Sequence, residues 1–238
     1  MIQPLPLRAA ASALLLVLAG CSNDLTLPTD SGLGLDLSRV NGDGQRGTVG
    51  APLPAPLVVR VLASGNGVAG RRVVFSAVGE GAALQLDPDT ALTDAKGDAV
   101  STWVLGTVAG EHRVEARLVA DDVAPPPVTF SAEAVAGPPD TLAGASALFR
   151  AGRREAELED PLVVRVADRF GNPVPNATVT WTVGGGDGEL SAETTRTGAD
   201  GKAVVTWTLG DRVGVQRVSA SMGGVHGSPV NFSATVLF

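Results

Sequence analysis

Apolar and polar residues alternate along most of this chain with a period of two. In the hexapeptide at residues 56–61, Leu57, Val59 and Val61 point to one face of an extended strand, while Arg60 points to the other. Three further apolar rows have the same spacing: Val179, Trp181 and Val183; Ala203, Val205, Trp207 and Leu209; and Val230, Phe232 and Ala234. β-Branched residues at alternate positions predict short β-strands with one buried face. No segment after the N-terminal region has the pattern of an amphipathic helix.

The pattern occurs twice. The hexapeptide PLVVRV at residues 56–61 recurs unchanged at residues 161–166. Three pairs of aromatic residues then follow in the same order in the two halves: Phe75 with Trp181, Trp103 with Trp207, and Phe130 with Phe232. This ordered repeat indicates two tandem domains, which we place at residues 35–136 and 137–238. The sequence Ala-Gly-Pro-Pro-Asp at residues 136–140 is suited to a short, stiff joint between them.

Glycine-containing turns separate the predicted strands in both halves. Many short alternating strands in succession predict an all-β fold, with two tandem immunoglobulin-like β-sandwiches. The paired aromatic residues lie in the inward rows, so we expect them to anchor hydrophobic cores, which is a structural role. These core anchors are Phe75, Trp103, Phe130, Trp181, Trp207 and Phe232.

A longer motif stands in the second half. Residues 171–181 read GNPVPNATVTW, and WTLG follows at residues 207–210. This motif resembles the bacterial immunoglobulin-like group 1 (Big-1) domain, the module of the invasin and intimin stalks. In the first half, Gly67 stands where a proline is usual and Phe75 where the family has tryptophan. The resemblance implies a rigid, elongated structural module outside the cytoplasm, and it offers no receptor-binding residue to carry over.

The N-terminal region contains an apolar run at residues 9–18 and the sequence LAGC at residues 18–21. The run is too short to span a bilayer as a helix but is typical of a signal peptide. LAGC resembles the lipobox of bacterial lipoproteins, in which cleavage between Gly20 and Cys21 leaves a lipidated cysteine. The resemblance implies membrane attachment through Cys21. Because the residue after Cys21 is Ser22 and not Asp, the resemblance favours attachment to the outer membrane. The sequence does not indicate whether the protein faces the periplasm or the cell exterior.

Residues 1–20 are therefore predicted to be a lipoprotein signal peptide, and residues 21–34 the lipidated cysteine and a flexible tether. The alternative is an ordinary secretory signal with a cysteine there by chance. Cys21 is the only cysteine of the chain, so no intramolecular disulfide is expected.

The composition excludes several classes of function. The formal net charge is −7 with no basic cluster, which argues against a nucleic-acid partner. No nucleophile elbow or phosphate-binding loop is present. His112 and His226 stand in different halves, and we expect each to lie alone at a surface or sheet edge. The sequence thus predicts no catalytic residue, no metal site and no cofactor.

Three weaker features stay open. Acidic turns at residues 41–44 and 87–89, with Asp94 and Asp98, offer oxygen ligands for calcium, although tight turns favour the same residue types. The acidic run at residues 155–160 is either a solvated strand edge or a docking patch. A sugar-binding aromatic platform needs exposed rings, and with no tyrosine in the chain we expect none.

We expect a non-enzymatic, envelope-anchored lipoprotein whose two Ig-like domains form a rigid structural or adhesive display module. Its partner would be a protein or an envelope or matrix component, and the residues do not identify it. The alternative is a periplasmic accessory protein that docks to an envelope complex or an exported protein. An enzyme would require a carboxylate pair that only folding brings together.

Overall fold

The computed structural model describes residues 34–79, 85–120, 124–185 and 188–237. The regular elements in these ranges are β-strands, so the all-β prediction is confirmed. No helix long and apolar enough to cross a membrane occurs within them. The predicted signal peptide, its cleavage site at Gly20 and Cys21, and the tether up to residue 33 lie outside the described residues.

The first ten strands form two sheets. They are β1 (Leu35–Asn41), β2 (Gln45–Thr48), β3 (Leu57–Ala63), β4 (Asn66–Gly67), β5 (Arg72–Val78), β6 (Gln85–Asp87), β7 (Thr90–Leu92), β8 (Asp98–Val104), β9 (Gly110–Leu118) and β10 (Val128–Val135). One sheet has the order β1-β3-β8-β6, with β4 paired to β3, and the other has the order β2-β10-β9-β5-β7. Neighbouring strands are antiparallel, except that β2 runs parallel to β10.

The next ten strands repeat this arrangement. They are β11 (Thr141–Gly144), β12 (Phe149–Arg153), β13 (Leu162–Ala167), β14 (Thr178–Gly185), β15 (Gly188–Leu190), β16 (Thr194–Arg196), β17 (Lys202–Val205), β18 (Trp207–Leu209), β19 (Gly214–Ser221) and β20 (Val230–Leu237). A five-stranded sheet has the order β12-β20-β19-β14-β16, and it faces the strands β11-β13-β17 and β15-β18.

The repeated hexapeptide forms the centre of one sheet in each half. In β3, Leu57, Val59 and Val61 are fully buried, whereas Arg60 points outward and forms an ion pair with Asp98, Nε to Oδ1 2.6 Å. Burying each of these aliphatic side chains stabilises the fold by about 1.5–3 kcal/mol. The alternation read from the sequence therefore decides which face of β3 meets the core.

The hydrophobic side chains form two separate cores. One cluster draws on residues 37–134 and the other on residues 142–236, and they share no member. Each cluster takes side chains from both of its sheets, as Leu57 and Phe130 do in the first half. Two sheets packed around one core make a β-sandwich, so the prediction of two tandem Ig-like sandwiches is confirmed. The domain boundary at residues 136 and 137 stays a prediction.

The two sandwiches differ where proline replaces glycine. Gly67 lies in β4, which pairs with β3, whereas its counterpart Pro173 makes only an isolated bridge with Ala167. Proline has no N–H to donate to a ladder, and within the described residues of the second sandwich no strand corresponds to β4.

Candidate functional site

The six predicted core anchors all lie inside the two hydrophobic cores, none more than 2% exposed. In the second sandwich the Trp181 indole donates a hydrogen bond to Thr195 Oγ1 at 2.8 Å, and its ring centroid lies 6.1 Å from that of Phe232. The indole N–H groups of Trp103 and Trp207 are buried, with no hydrogen-bond partner among the described residues. All six side chains fill the interior, which is the structural role that the sequence predicts for them.

The expectation of a surface or edge histidine is wrong for His112. This side chain is buried on β9, which lies in the interior of its sheet. Its Nδ1 accepts a hydrogen bond from Gly106 N–H at 3.3 Å, and its Nε2 donates to Val108 O at 2.8 Å. The ring therefore stabilises a turn by supplying hydrogen-bond partners to two backbone groups. A single histidine in the sequence gives no sign of this role. His226 is exposed.

Gln216 does the same work at the matched position of the second sandwich. Its Oε1 accepts a hydrogen bond from Gly210 N–H at 2.9 Å, and its Nε2 donates to Arg212 O at 3.0 Å. A neutral imidazole and an amide both offer one acceptor and one donor at the ends of a planar group. This pair was missed from the sequence because histidine and glutamine do not align as similar residues.

The most polar buried cluster of the described residues lies at the loop between β13 and β14. Asp168, only 2% exposed, accepts hydrogen bonds from the backbone N–H groups of Phe170 and Asn172 at its Oδ1, both at 2.9 Å. Its Oδ2 accepts from Gly137 N–H at 2.9 Å, and the Asn172 amide donates to the same oxygen at 2.9 Å. One carboxylate thus holds the loop and the segment that leads into the second sandwich.

The ionisation of Asp168 follows from these contacts. Burial opposes the charged form, but the hydrogen bonds from the Asn172 side chain and from three backbone N–H groups outweigh burial. The pKa of the Asp168 carboxyl is consequently held below its ordinary value. At neutral pH the group is a carboxylate, which matches its role as an acceptor for several donors.

Asn172 links this cluster to the first sandwich. Its Nδ2 donates to Thr107 O at 2.8 Å, and its Oδ1 accepts from Ala109 N–H at 2.9 Å. Both partners belong to the turn between β8 and β9 of the first sandwich. The side chain is itself buried, whereas its partners Thr107 and Ala109 are half-buried, so both bonds are partly shielded from bulk water. We call Asp168, Asn172, Gly137 and the Thr107–Ala109 turn the joint.

A cavity of about 350 Å³ lies beside the joint and is lined by both sandwiches. Phe170 is 40% exposed there, and the Arg169 guanidinium lies 4.5 Å from the centroid of its ring, a cation–π contact. Across the cavity, Gly50 adopts φ +70, and a Cβ at this position would lie 3.3 Å from the Phe170 ring. Glycine therefore allows the aromatic ring to sit close to the first sandwich.

The corresponding loop of the first sandwich has none of these contacts. Ala63 occupies the position that corresponds to Asp168, and Asn66 is exposed, with a 3.5 Å hydrogen bond from its Nδ2 to Ser64 O. Asparagine alone therefore does not make a joint. Asn66 and Asn172 both follow a glycine and precede a Gly/Pro-Val pair in the repeat, whereas Asp168 has the uncharged Ala63 as its counterpart, so the repeat does not single out Asp168.

The acidic turns hold their carboxylates against protein donors. Asp43 accepts hydrogen bonds from Ser131 N–H at 2.9 Å and from Arg39. Asp94 accepts from the backbone N–H groups of Lys96 and Asp98 at 2.8 and 2.9 Å, which is the geometry of an Asx turn. In the described ranges no group of three or more metal-ligating side chains comes together. Backbone turns account for these residues.

The acidic run at residues 155–160 covers a strand edge. Leu158 N–H donates to Trp207 O at 2.9 Å, and the Leu158 side chain is buried, while Glu157 and Glu159 point into solvent. The run is solvated, as the alternation of its residues predicts.

The sequence predicts no sugar-binding aromatic platform, yet one phenylalanine outside the repeated pairs is strongly exposed. Phe149, on edge strand β12, is 82% exposed. Its position was missed because it lies outside the repeated aromatic pairs that the sequence comparison follows.

Residues 159–235 match the sequence profile of the bacterial Ig-like domain (group 1). The predicted resemblance is thus confirmed for this segment. No curated protein sequence matches the chain.

Several solved structures are similar to this one. The D00-D0 domain of intimin is 16% identical, over 86% of this chain and 100% of that chain, with a TM-score of 0.39. The Escherichia coli adhesin FdeC is 19% identical, over 86% of this chain and 64% of that chain, with a TM-score of 0.46. Yersinia pseudotuberculosis InvD is 16% identical, over 85% of this chain and 57% of that chain, with a TM-score of 0.45. These sequence identities and TM-scores are too low to assign a role to any residue of this chain from those structures.

Proposed function

We propose that this protein is a non-enzymatic lipoprotein of the bacterial envelope, in which two Ig-like sandwiches act as a rigid module for structural display or adhesion. The observation that carries the proposal is the joint, where two partly buried hydrogen bonds of Asn172 connect the second sandwich to the first and Asp168 holds Asn172 in place. A display module needs its parts held in a fixed relation, and these bonds support such a relation.

The joint is stronger than a linker alone. A hydrogen bond contributes about 0.5–1.5 kcal/mol net to stability. Swinging the sandwiches apart would break both bonds of Asn172 to the first sandwich at once. Pro138 and Pro139 also limit the backbone of the connecting segment. We therefore expect the two sandwiches to resist bending relative to each other.

The match of residues 159–235 to the bacterial Ig-like domain supports a structural module. Envelope anchoring is supported by the LAGC sequence that ends at Cys21. Two or more acyl chains on that cysteine would make a stable anchor, since each buried CH₂ contributes about 0.8 kcal/mol.

Protease shaving of intact cells tests the proposal. Cells producing the protein are compared with cells producing Cys21→Ala, and the second sandwich is followed with an antibody. Loss of the membrane-associated signal on shaving, and loss of membrane association in Cys21→Ala, is the expected result. Protection until the outer membrane is permeabilised would favour the periplasmic accessory protein, and a membrane-bound Cys21→Ala protein would contradict lipid anchoring.

A further inference from the structure

The outer side of the second five-stranded sheet is rich in hydroxyl groups. We call it the hydroxyl–arginine face and define it by the outward positions of β12, β20, β19, β14 and β16. Its hydroxyl residues are Thr178, Thr180, Thr182, Thr194, Ser219, Ser221, Ser233 and Thr235. Its charged residues are Arg153, Arg196 and Arg217, and no Asp or Glu occupies an outward position of these five strands.

The matched face of the first sandwich has a different chemistry. Its outward residues include the ion pairs Arg113–Glu111, Arg117–Glu115 and Arg46–Glu133, with N···O distances of 3.0, 2.7 and 3.5 Å. Acidic and basic groups neutralise each other there. A face of this kind attracts neither anions nor cations strongly.

Each of these acids is replaced by a neutral residue in the second sandwich. Val215, Ser219 and Thr235 occupy the positions that correspond to Glu111, Glu115 and Glu133. Arg217 keeps the position of Arg113 but forms no ion pair among the described residues. The fold tolerates acids at all three positions, so folding does not require their absence from the second sandwich.

An exposed aromatic ring lies in line with the Arg217 guanidinium. The strand register places Phe149, Ser233 and Arg217 side by side on β12, β20 and β19. Phe149 is 82% exposed, an unusual position for a phenylalanine on a strand. The row combines an apolar ring, a hydroxyl and a cation, which together suit a sugar ring that carries an acidic group.

The three arginines form a diagonal track. Arg153 and Arg217 lie two strands and two outward positions apart, roughly 17 Å at ordinary sheet spacings. Arg217 and Arg196 lie two strands and three outward positions apart, roughly 22 Å. The hydroxyl residues fill the space between them. A compact anion would meet one arginine, whereas an extended chain of well-spaced negative charges meets all three.

We propose that the hydroxyl–arginine face binds an acidic polysaccharide, with Arg153, Arg196 and Arg217 pairing with its acidic groups and Phe149 packing on a sugar ring. The hydroxyl ladder exchanges hydrogen bonds with the sugar hydroxyls. The charge complementarity is local, because the chain as a whole is acidic. The proposal names a ligand class for the adhesive function above and in that respect rests on it.

A nucleic acid fits the track less well. Duplex DNA carries a charge about every 1.7 Å of its axis, and its binding proteins cluster lysine and arginine accordingly. Three arginines at the spacing above would neutralise few phosphates. The net charge of −7 would also oppose so dense a polyanion.

Binding by the purified full chain in detergent tests the inference. Biolayer interferometry is run with immobilised polygalacturonate, with neutral dextran and with a single-stranded DNA oligonucleotide. We expect binding to polygalacturonate that weakens with added salt and weakens at least tenfold in the variant Arg153→Gln/Arg217→Gln. The matched control Arg113→Gln, on the first sandwich, should change the affinity less than twofold.

A second variant removes the same attraction without removing an arginine. Val215→Glu/Ser219→Glu/Thr235→Glu introduces acids that the first sandwich already carries at matched positions, so the fold should persist, as circular dichroism will show. Binding to polygalacturonate should fall at least tenfold. Absent binding, equal binding to dextran, preference for the oligonucleotide, or equal loss in Arg113→Gln would each overturn the inference. None of these results depends on membrane anchoring, which the shaving experiment tests separately.

Discussion

The first and second sandwiches bury matching side chains and expose different ones. Trp103 and Trp207 occupy equivalent places in the two cores. By contrast, the loop after β3 has an exposed Asn66, whereas the loop after β13 has a buried Asn172 that contacts the other sandwich. The outer faces differ as well, with ion pairs on one and, within the part of the chain that the structure describes, arginines that form no ion pair on the other. The repeat thus maintains the fold, and the differences between its copies mark the positions that are free to serve function.

Removing the large tryptophan side chain should destabilise the two cores by similar amounts, and this is the largest effect that we expect. Trp207→Ala and Trp103→Ala should each destabilise their own sandwich by about 3–5 kcal/mol, because each leaves a large cavity. Guanidinium unfolding followed by circular dichroism measures the loss. The Trp→Phe variants are the matched controls and should lose less, since neither indole N–H has a hydrogen-bond partner in the described structure. A large loss at one site and none at the other would contradict the equivalence of the cores.

Substitution of Asn172, which lies in the joint, should destabilise the protein more than substitution of its exposed counterpart Asn66. Asn172→Ala removes a buried side chain that bonds Thr107 O and Ala109 N–H, at a cost of about 0.5–1.5 kcal/mol for each hydrogen bond lost. Asn66→Ala, at the exposed equivalent, should change the free energy of unfolding by less than about 0.5 kcal/mol. Thermal unfolding compares them, and equal effects would show that the joint contributes nothing.

The contribution of the joint to stability should also depend on pH. The pKa of Asp168 is lower in the folded protein than the ordinary 3.8. Its contribution to stability is therefore fully present above that value and is lost as pH falls through the lower, folded pKa. Because Asp43 and Asp98 have lowered pKa values too, the measurement is the stability difference from Asp168→Asn. That difference should shrink below about pH 4, and a difference independent of pH from 7 to 2 would refute the role of the carboxylate.

Exchanging the turn-closing side chains should have a small effect. His112→Gln supplies the acceptor and donor that Gln216 provides in the other sandwich, so the expected loss is below about 1 kcal/mol. His112→Ala leaves Gly106 N–H and Val108 O without a side-chain partner and should cost more. If chemical denaturation finds the two variants equally unstable, the equivalence of His112 and Gln216 is wrong.

The smallest expected effect is on the outer face. Val215→Glu creates the Arg–Glu pair that Arg113 and Glu111 make in the first sandwich, and exposed pairs of this kind contribute about 0–1 kcal/mol. The melting temperature should stay nearly unchanged. A marked fall would show that the neutral face is needed for folding, and would remove the argument that it is free to bind a ligand.

The cores could be predicted from the sequence because burial imposes a period that local residues display. Leu57, Val59 and Val61 must all point inward once β3 forms, and the repeat shows the same requirement a second time. The strands of both sandwiches follow from this alternation. Register shifts, such as the one between Val183 and Gly185 in β14, do not, because a bulge leaves the composition of a strand unchanged.

The joint and the hydroxyl–arginine face could not be predicted in the same way. Asp168 has Ala63 as its counterpart, so a comparison of the repeats passes over it. Its partners Gly137 and Asn172 come from separate segments that only the fold brings together. Likewise, the row of Phe149, Ser233 and Arg217 depends on a parallel pairing of β12 with β20, which no local pattern encodes.

We expect the joint to hold the two sandwiches as one rigid body. Spin labels at two exposed threonines, Thr90 of the first sandwich and Thr194 of the second, allow the distance between them to be measured by pulsed electron paramagnetic resonance. We predict a single narrow distance distribution that broadens in Asn172→Ala and not in Asn66→Ala. A broad distribution in the unaltered joint, unchanged by Asn172→Ala, would contradict this rigidity.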